Sequence, residues 1–204
     1  MIIRFSPIKI IPALAFAAFC LFPRCISAQD EATPRLERVL GKISFVSPAV
    51  GLEFALSKNL SIATQAALGF AFTAYSSTGG GSGSYSVLYP AVYAEFRNYY
   101  SLERRAEKGK NWRGNSGTFF GLGASYRFDA LSERTSGNIF VTQPYQPAFS
   151  IGPVWGIQLT EIKSHFNFSF SVGPTLTLLG DDSAEFNFWG GGHLNLGFVI
   201  GNFK

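Results

Sequence analysis

Large apolar residues alternate with small or polar ones, at a period of two, through most of the chain after residue 47. This is the spacing of a strand whose two faces meet different surroundings. Across 60–73 the large set is Leu60, Ile62, Leu68, Phe70 and Phe72, against Ser61, Ala63, Gln65, Ala67, Gly69 and Ala71. From Phe166 the contrast sharpens, with Phe166, Phe168, Phe170, Val172, Leu176 and Leu178 against Asn167, Ser169, Ser171, Gly173, Thr175 and Thr177. The pattern predicts strands over about 48–56, 60–73, 85–99, 118–128, 148–159, 166–178 and 186–200. An eighth over 36–46, with Ile43 and Phe45 set against Lys42 and Ser44, completes a sheet able to close on itself.

Paired antiparallel strands must keep their large residues on one side of the sheet, which tests the phase across turns. A three-residue turn at 57–59 sets Leu56 against Leu60, Phe54 against Ile62 and Glu53 against Ala63. An even turn after Leu159 sets Trp155 against Phe170, Ile157 against Phe168 and Gln158 against Asn167, with Gly152 opposite Gly173 as paired bends. Connections alternate between short or basic ones (57–59, 101–115, 161–165) and Gly/Ser-rich or acidic ones (74–84, 129–147, 179–185). Ser101 is positioned to begin one or two helical turns over 102–108. Pro48, Pro90, Pro153 and Pro174 fall inside predicted strands, where the missing donor calls for a bulge or shortened pairing.

The small face decides which side meets water. In 60–73 and 166–178 it carries no charge, unlike a surface facing solvent. Small residues suit the crowded interior of a barrel of about eight strands, and the large face then turns outward to lipid, where every backbone group must pair within a closed sheet. Aromatic residues near strand ends (Phe70, Phe72, Tyr99, Tyr126, Phe128, Phe186, Trp189) would form interfacial girdles.

Composition agrees. Hydrophobic residues make up 47% and charged residues only 15% of 204, which excludes disorder. The formal charge of +4 rests on 17 basic and 13 acidic residues. Arg4, Lys9 and Arg24 fall in the first 28 residues, which hold no acid, leaving 14 basic against 13 acidic. A balance of +1 gives no basic face for nucleic acid. Residues 1–28 read as a secretory signal peptide: Arg4 and Lys9, an apolar run over 10–22, and Cys25-Ile26-Ser27-Ala28 before a cut at Gln29 or one residue earlier. Lipidation of Cys25 is the rival reading, set against the bulky, charged Phe22-Pro23-Arg24 before it. Both cysteines, Cys20 and Cys25, leave with this leader, so residues 29–204 form one domain with neither disulfide nor thiol chemistry.

The mature chain resembles the small eight-stranded outer-membrane β-barrel proteins, most closely the short barrels of Bacteroidota. The resemblance is carried by Ser47-Pro48-Ala49-Val50-Gly51-Leu52-Glu53-Phe54 with Lys58-Asn59, Glu95-Phe96-Arg97-Asn98-Tyr99-Tyr100, Phe119-Phe120-Gly121-Leu122-Gly123 and the ending Leu194-Asn195-Leu196-Gly197-Phe198-Val199-Ile200. It implies an all-β, up-and-down, closed antiparallel transmembrane barrel in the cell outer membrane of a Gram-negative cell, porin-like in fold. The ending resembles the signal read by barrel-assembly machinery, from which it departs by closing on Phe203-Lys204. No catalytic motif comes with the resemblance.

Candidate chemistry is confined to the small face. Glu53, Glu95, Arg97, Arg127, Gln65, Gln158 and His193, joined by Lys42 and Tyr93, are expected to form a lumen network in which Glu53 and Glu95 meet Arg97 and Arg127 and close the barrel to flow. His165 falls in a turn, and no His/Cys/Asp cluster has metal spacing; Asp181-Asp182 reads as a loop tip. Gly79-Gly80-Gly81-Ser82-Gly83 lacks the Lys-Ser/Thr and helix of a phosphate loop. The basic turn of Arg104, Arg105, Lys108, Lys110 and Arg113, interleaved with Glu103 and Glu107, reads as solvated. The expectation is a monomer without cofactor, bound to outer-membrane lipid, with a structural or surface-interaction role through its external loops. The alternatives are a lipid-modifying enzyme, and a narrow channel or subunit of an envelope complex.

Overall fold

The computed structural model describes residues 34–77, 81–137, 145–180 and 183–201. The expected leader with its cut and cysteines, residues 78–80 of the glycine loop, Asp181-Asp182 and Phe203-Lys204 lie outside these, as does the side chain of Trp189. The elements are β1 (Val39–Ser44), β2 (Ala49–Ala55), β3 (Leu60–Ser77), β4 (Gly81–Asn98), α1 (Leu102–Glu107), β5 (Gly117–Arg127), β6 (Ser132–Gly137), β7 (Ala148–Thr160), β8 (Phe166–Leu179) and β9 (Ala184–Ile200). All pairings are antiparallel. Eight strands form a ring in the order β1-β2-β3-β4-β5-β7-β8-β9, and β9 returns to β1 through Gly41–Ile200 to Ser44–Gly197. The expected eighth strand is therefore β1, and it makes the closure.

β6 is a ninth strand, where a loop was expected. It continues the line of β5 along β4: Arg127 pairs with Ala91 and Ser132 with Leu88, so 128–131 bulge opposite Tyr89 and Pro90. Pro90 donates nothing, and its carbonyl accepts from Phe128 N–H. The β3–β4 ladder likewise runs to Ser77–Gly81 through the glycine- and serine-rich stretch read as a loop. Pro153 and Pro174 oppose one another where the β7–β8 ladder skips 152–154 against 173–175, and the β8–β9 register shifts beside Pro174. Pro48 lies in the turn before β2, not in a strand.

The Phe54–Ile62 and Glu53–Ala63 pairs are as expected. The β7–β8 register is two residues away from the expected one. Ile157 pairs with Phe170, Leu159 with Phe168, Gln158 with Ser169 and Trp155 with Val172. An even slip keeps every side chain on its face, so the phase survived while the partners changed. Gly152 accordingly faces the Pro174 carbonyl, not Gly173; an added Cβ would sit 2.0 Å from that oxygen.

The two faces of the ring are sharply unlike. Phe70, Phe72, Phe186 and Ile200 are each more than 60% exposed on the outside, while Glu53, Gln158, Ser61 and Ser169 are at 0–1% within. Buried apolar packing is concentrated at the α1 end, where Leu36, Tyr99, Leu102 and Phe119 cluster with Ala55 and Trp112 against them. Tyr99, expected in an outer girdle, is only 1% exposed. It keeps the inward phase of Glu95 and Arg97. The wall is lowest over β1 and β2: with 6 and 7 residues, they leave β3 beyond Leu68 and β9 before Leu196 without ladder partners on that side, among the described residues.

Candidate functional site

Alternation along four strands brings the interior charges together. Lys42 comes from β1, Glu53 from β2, Glu95 and Arg97 from β4, and Gln158 from β7. The Glu53 carboxylate accepts from Lys42 Nζ at 2.5 Å, Ser61 Oγ at 2.8 Å, Tyr99 Oη at 2.9 Å and Gln158 Nε2 at 3.3 Å. Arg97 joins both acids: its Nε and Nη2 each lie 2.7 Å from Glu95 Oε2, and Nη1 lies 3.5 Å from Glu53 Oε2. Gln158 Oε1 accepts from both cations, Lys42 Nζ at 2.6 Å and Arg97 Nη1 at 2.9 Å. The guanidinium lies 4.4 Å over the Phe119 ring, a cation–π contact that ties the ion cluster to the apolar one. Two carboxylates and two cations balance, and their lone pairs and protons are well used. Buried charge is tolerable only when paired and hydrogen-bonded in this way.

On its far side, Glu95 Oε1 accepts from Ser171 Oγ at 2.9 Å and meets His193 Nδ1 at 3.3 Å, while Ser171 Oγ lies 3.4 Å from the same nitrogen. A nucleophile relay instead needs the hydroxyl on one ring nitrogen and the acid on the other. Gln65 and Asn195 exchange amide hydrogen bonds of 3.2 and 2.9 Å between β3 and β9.

Arg127 does not join this network. The β5 residue opposite Glu95 is Gly123, and Arg127 lies four residues further along, roughly 13 Å at the usual strand rise. Its guanidinium instead stands 6.0 Å from the Tyr145 ring. Lys42 supplies the second cation. Ser61, Tyr99 and Ser171, which sequence reasoning missed as network members, all carry the inward phase and could have been found by it.

Beneath the network, Gly114 O accepts from Thr160 Oγ1 at 2.7 Å and Gln158 Nε2 at 3.3 Å, drawing the 114–116 segment across the α1 end of the ring. Nearby, Glu37 N–H donates to Asn115 Oδ1 at 2.7 Å. Partial burial raises the Glu37 carboxyl above its ordinary value, against the lowering pull of the Gly114 backbone and of Arg113 and Arg35. The opposite half of the interior is open, a cavity of about 410 Å³ with Glu95 and His193 on its wall. The expected filling thus holds for the α1 half alone.

In the basic turn, Arg105 Nε donates to Asn111 O, and Lys58 pairs with Glu103 across the surface. No group of three or more His, Cys, Asp or Glu fit to hold a metal occurs among the described residues. No described helix is long and apolar enough to cross a membrane, which bears on helices alone. Comparison with family models, curated proteins and solved structures finds no match to this chain.

Proposed function

We propose that this chain is an outer-membrane β-barrel protein of the small eight-stranded kind, with a structural or surface-interaction role through its external connections. The observation that carries the reading is the inversion of the ring: bulky apolar side chains outside, hydrogen-bonded ions inside. Burying one large apolar side chain is worth about 1.5–3 kcal/mol, so an outer face built from Ile62, Leu68, Phe70, Phe120, Leu122, Phe170 and Phe198 is favoured by an apolar solvent. A closed ladder is the sheet form that satisfies the backbone there. β3, β4, β5, β7, β8 and β9 have 11 to 18 residues, against the roughly 9–11 a tilted strand needs to cross.

The end bearing α1 and the 161–165 turn faces the periplasm in this reading, by the rule of short turns there. The ion cluster and the plug of Tyr99, Phe119 and the 114–116 segment close the lumen. β9, the expected recognition strand for assembly machinery, makes the closing pairs with β1, so its docking completes the barrel. Ser171, His193 and Glu95 lack relay geometry, which favours the non-enzymatic reading over a lipid-modifying one. Gel migration of the membrane-extracted protein tests the proposal. An unboiled sample should run ahead of a boiled one, as a closed barrel does; identical migration and full solubility without detergent would reject it.

A further inference from the structure

The open half of the interior is walled by five neighbouring strands, β4, β5, β7, β8 and β9. Small residues create it: Gly123 and Gly152 stand in the row of Glu95, and Ser125 and Ser150 in the next row up. At about 410 Å³ it falls in the range of small-molecule sites, roughly 300–1,000 Å³.

Its polar groups are of two kinds. Glu95 and His193 are engaged with one another, Arg97 and Ser171. Arg127 on β5 and Glu185 on β9 also line the cavity, and among the described residues neither forms an ion pair with the other or with any other group, the Arg127 guanidinium standing 6.0 Å from the Tyr145 ring. A cation and an anion thus face one space without meeting. On β8, one row below Glu185 and two below Arg127, Thr175 is 4% exposed, lines the cavity, and has no hydrogen-bond partner for its Oγ1 among the described residues. A buried hydroxyl left so is costly unless something else supplies the bond. Tyr89 and Tyr93 also line the cavity, and such rings attract an ammonium group.

We propose that this cavity binds a small zwitterion, its carboxylate or phosphate held by Arg127 and its ammonium by Glu185, with the Thr175 hydroxyl supplying a further hydrogen bond from the row of Glu95. Either charge of the cavity alone would recruit a simple ion; both together select a molecule carrying the two. A free amino acid and the phosphoethanolamine headgroup of a lipid share that chemistry. The site lies inside the ring and does not depend on what covers the outer face.

Titration calorimetry on the full-length protein in detergent solution tests it, with L-leucine and O-phosphoethanolamine as zwitterions and inorganic phosphate and ethanolamine as single charges. At least one zwitterion should bind saturably and at least about tenfold tighter than either single charge, the scale of one charge-assisted hydrogen bond. Stronger binding of O-phosphoethanolamine assigns the lipid source, and stronger binding of L-leucine the free amino acid. Arg127→Gln and Glu185→Gln should each cost about tenfold, Thr175→Val a smaller factor, and Ser136→Ala on exposed β6 nothing. Arg127→Lys, which keeps the charge, should retain part of the affinity and serves where Arg127→Gln does not fold. Absence of saturable zwitterion binding, equal binding of a single charge, or unaltered affinity in the folded variants would overturn the proposal.

Discussion

Arg97 Nη2 lies 2.7 Å from Glu95 Oε2, although the two residues are only two apart on one strand. Positions i and i+2 share a strand face, so this buried pair is built by local sequence and then extended by Lys42 and Glu53 from across the ring. Removing one member of a buried ion group costs about 3–5 kcal/mol, because the charge left behind has lost its partner. Arg97→Met should therefore lower stability to urea by about that amount. Adding Glu95→Gln should recover part of it, and not all, because Arg97 also faces Glu53. A neutral single variant would show that the cluster is not an energetic unit.

The seal makes its own prediction. The Tyr99 and Phe119 rings pack at 5.2 Å, tilted by 49°, beneath the ion cluster, and both are at or below 1% exposure. In planar bilayers the wild-type protein should show no conductance steps, while Tyr99→Ala combined with Phe119→Ala should conduct small ions. Steady conductance of the wild type would contradict the plug.

Much of this arrangement was legible in the alternation of residues. The faces, the strands and the inward set from Glu53 to His193 follow from a period of two. Partners followed less well, because parity is blind to an even slip: the β7–β8 register moved by two with no residue changing face. Strand ends were misjudged where Gly and Ser, poor strand formers alone, continue a ladder fixed by their neighbours at 74–77 and 81–84. Arg127 was misassigned because its face is right and its height is not, a difference that only the strand rows reveal.

The Pro153–Pro174 crossing needs backbone room. A Cβ on Gly173 would lie 1.9 Å from the Pro153 carbonyl oxygen, whereas one on Gly41 would meet nothing nearer than 3.4 Å. Gly173→Ala should destabilise by about 1–3 kcal/mol, the scale of an overpacked site. Gly41→Ala should be near neutral. Urea titration of both checks the contrast, and equal effects would argue against the close approach.

Glu37, outside the strands, predicts a pH dependence. Its carboxyl is raised in the folded chain from an ordinary value of 4.5, so the folded state holds the proton more tightly. Below 4.5 both states are protonated and nothing is lost; as pH rises through that value toward the raised one, the unfolded state ionises first and stability falls. Glu37→Gln should therefore gain stability relative to wild type at neutral pH, and the gain should vanish below about pH 4. A constant difference across the titration would contradict this sign.

If the outer apolar face meets acyl chains as proposed, spin labels read it directly. Single cysteines at 168, 169, 170 and 171, labelled and reconstituted in phospholipid vesicles, report collisions with oxygen, which concentrates in lipid, and with a water-soluble nickel chelate. The prediction is an alternation: labels at 168 and 170 accessible to oxygen and not to nickel, those at 169 and 171 shielded from both. Nickel access at 168 and 170, or the opposite phase, would contradict it.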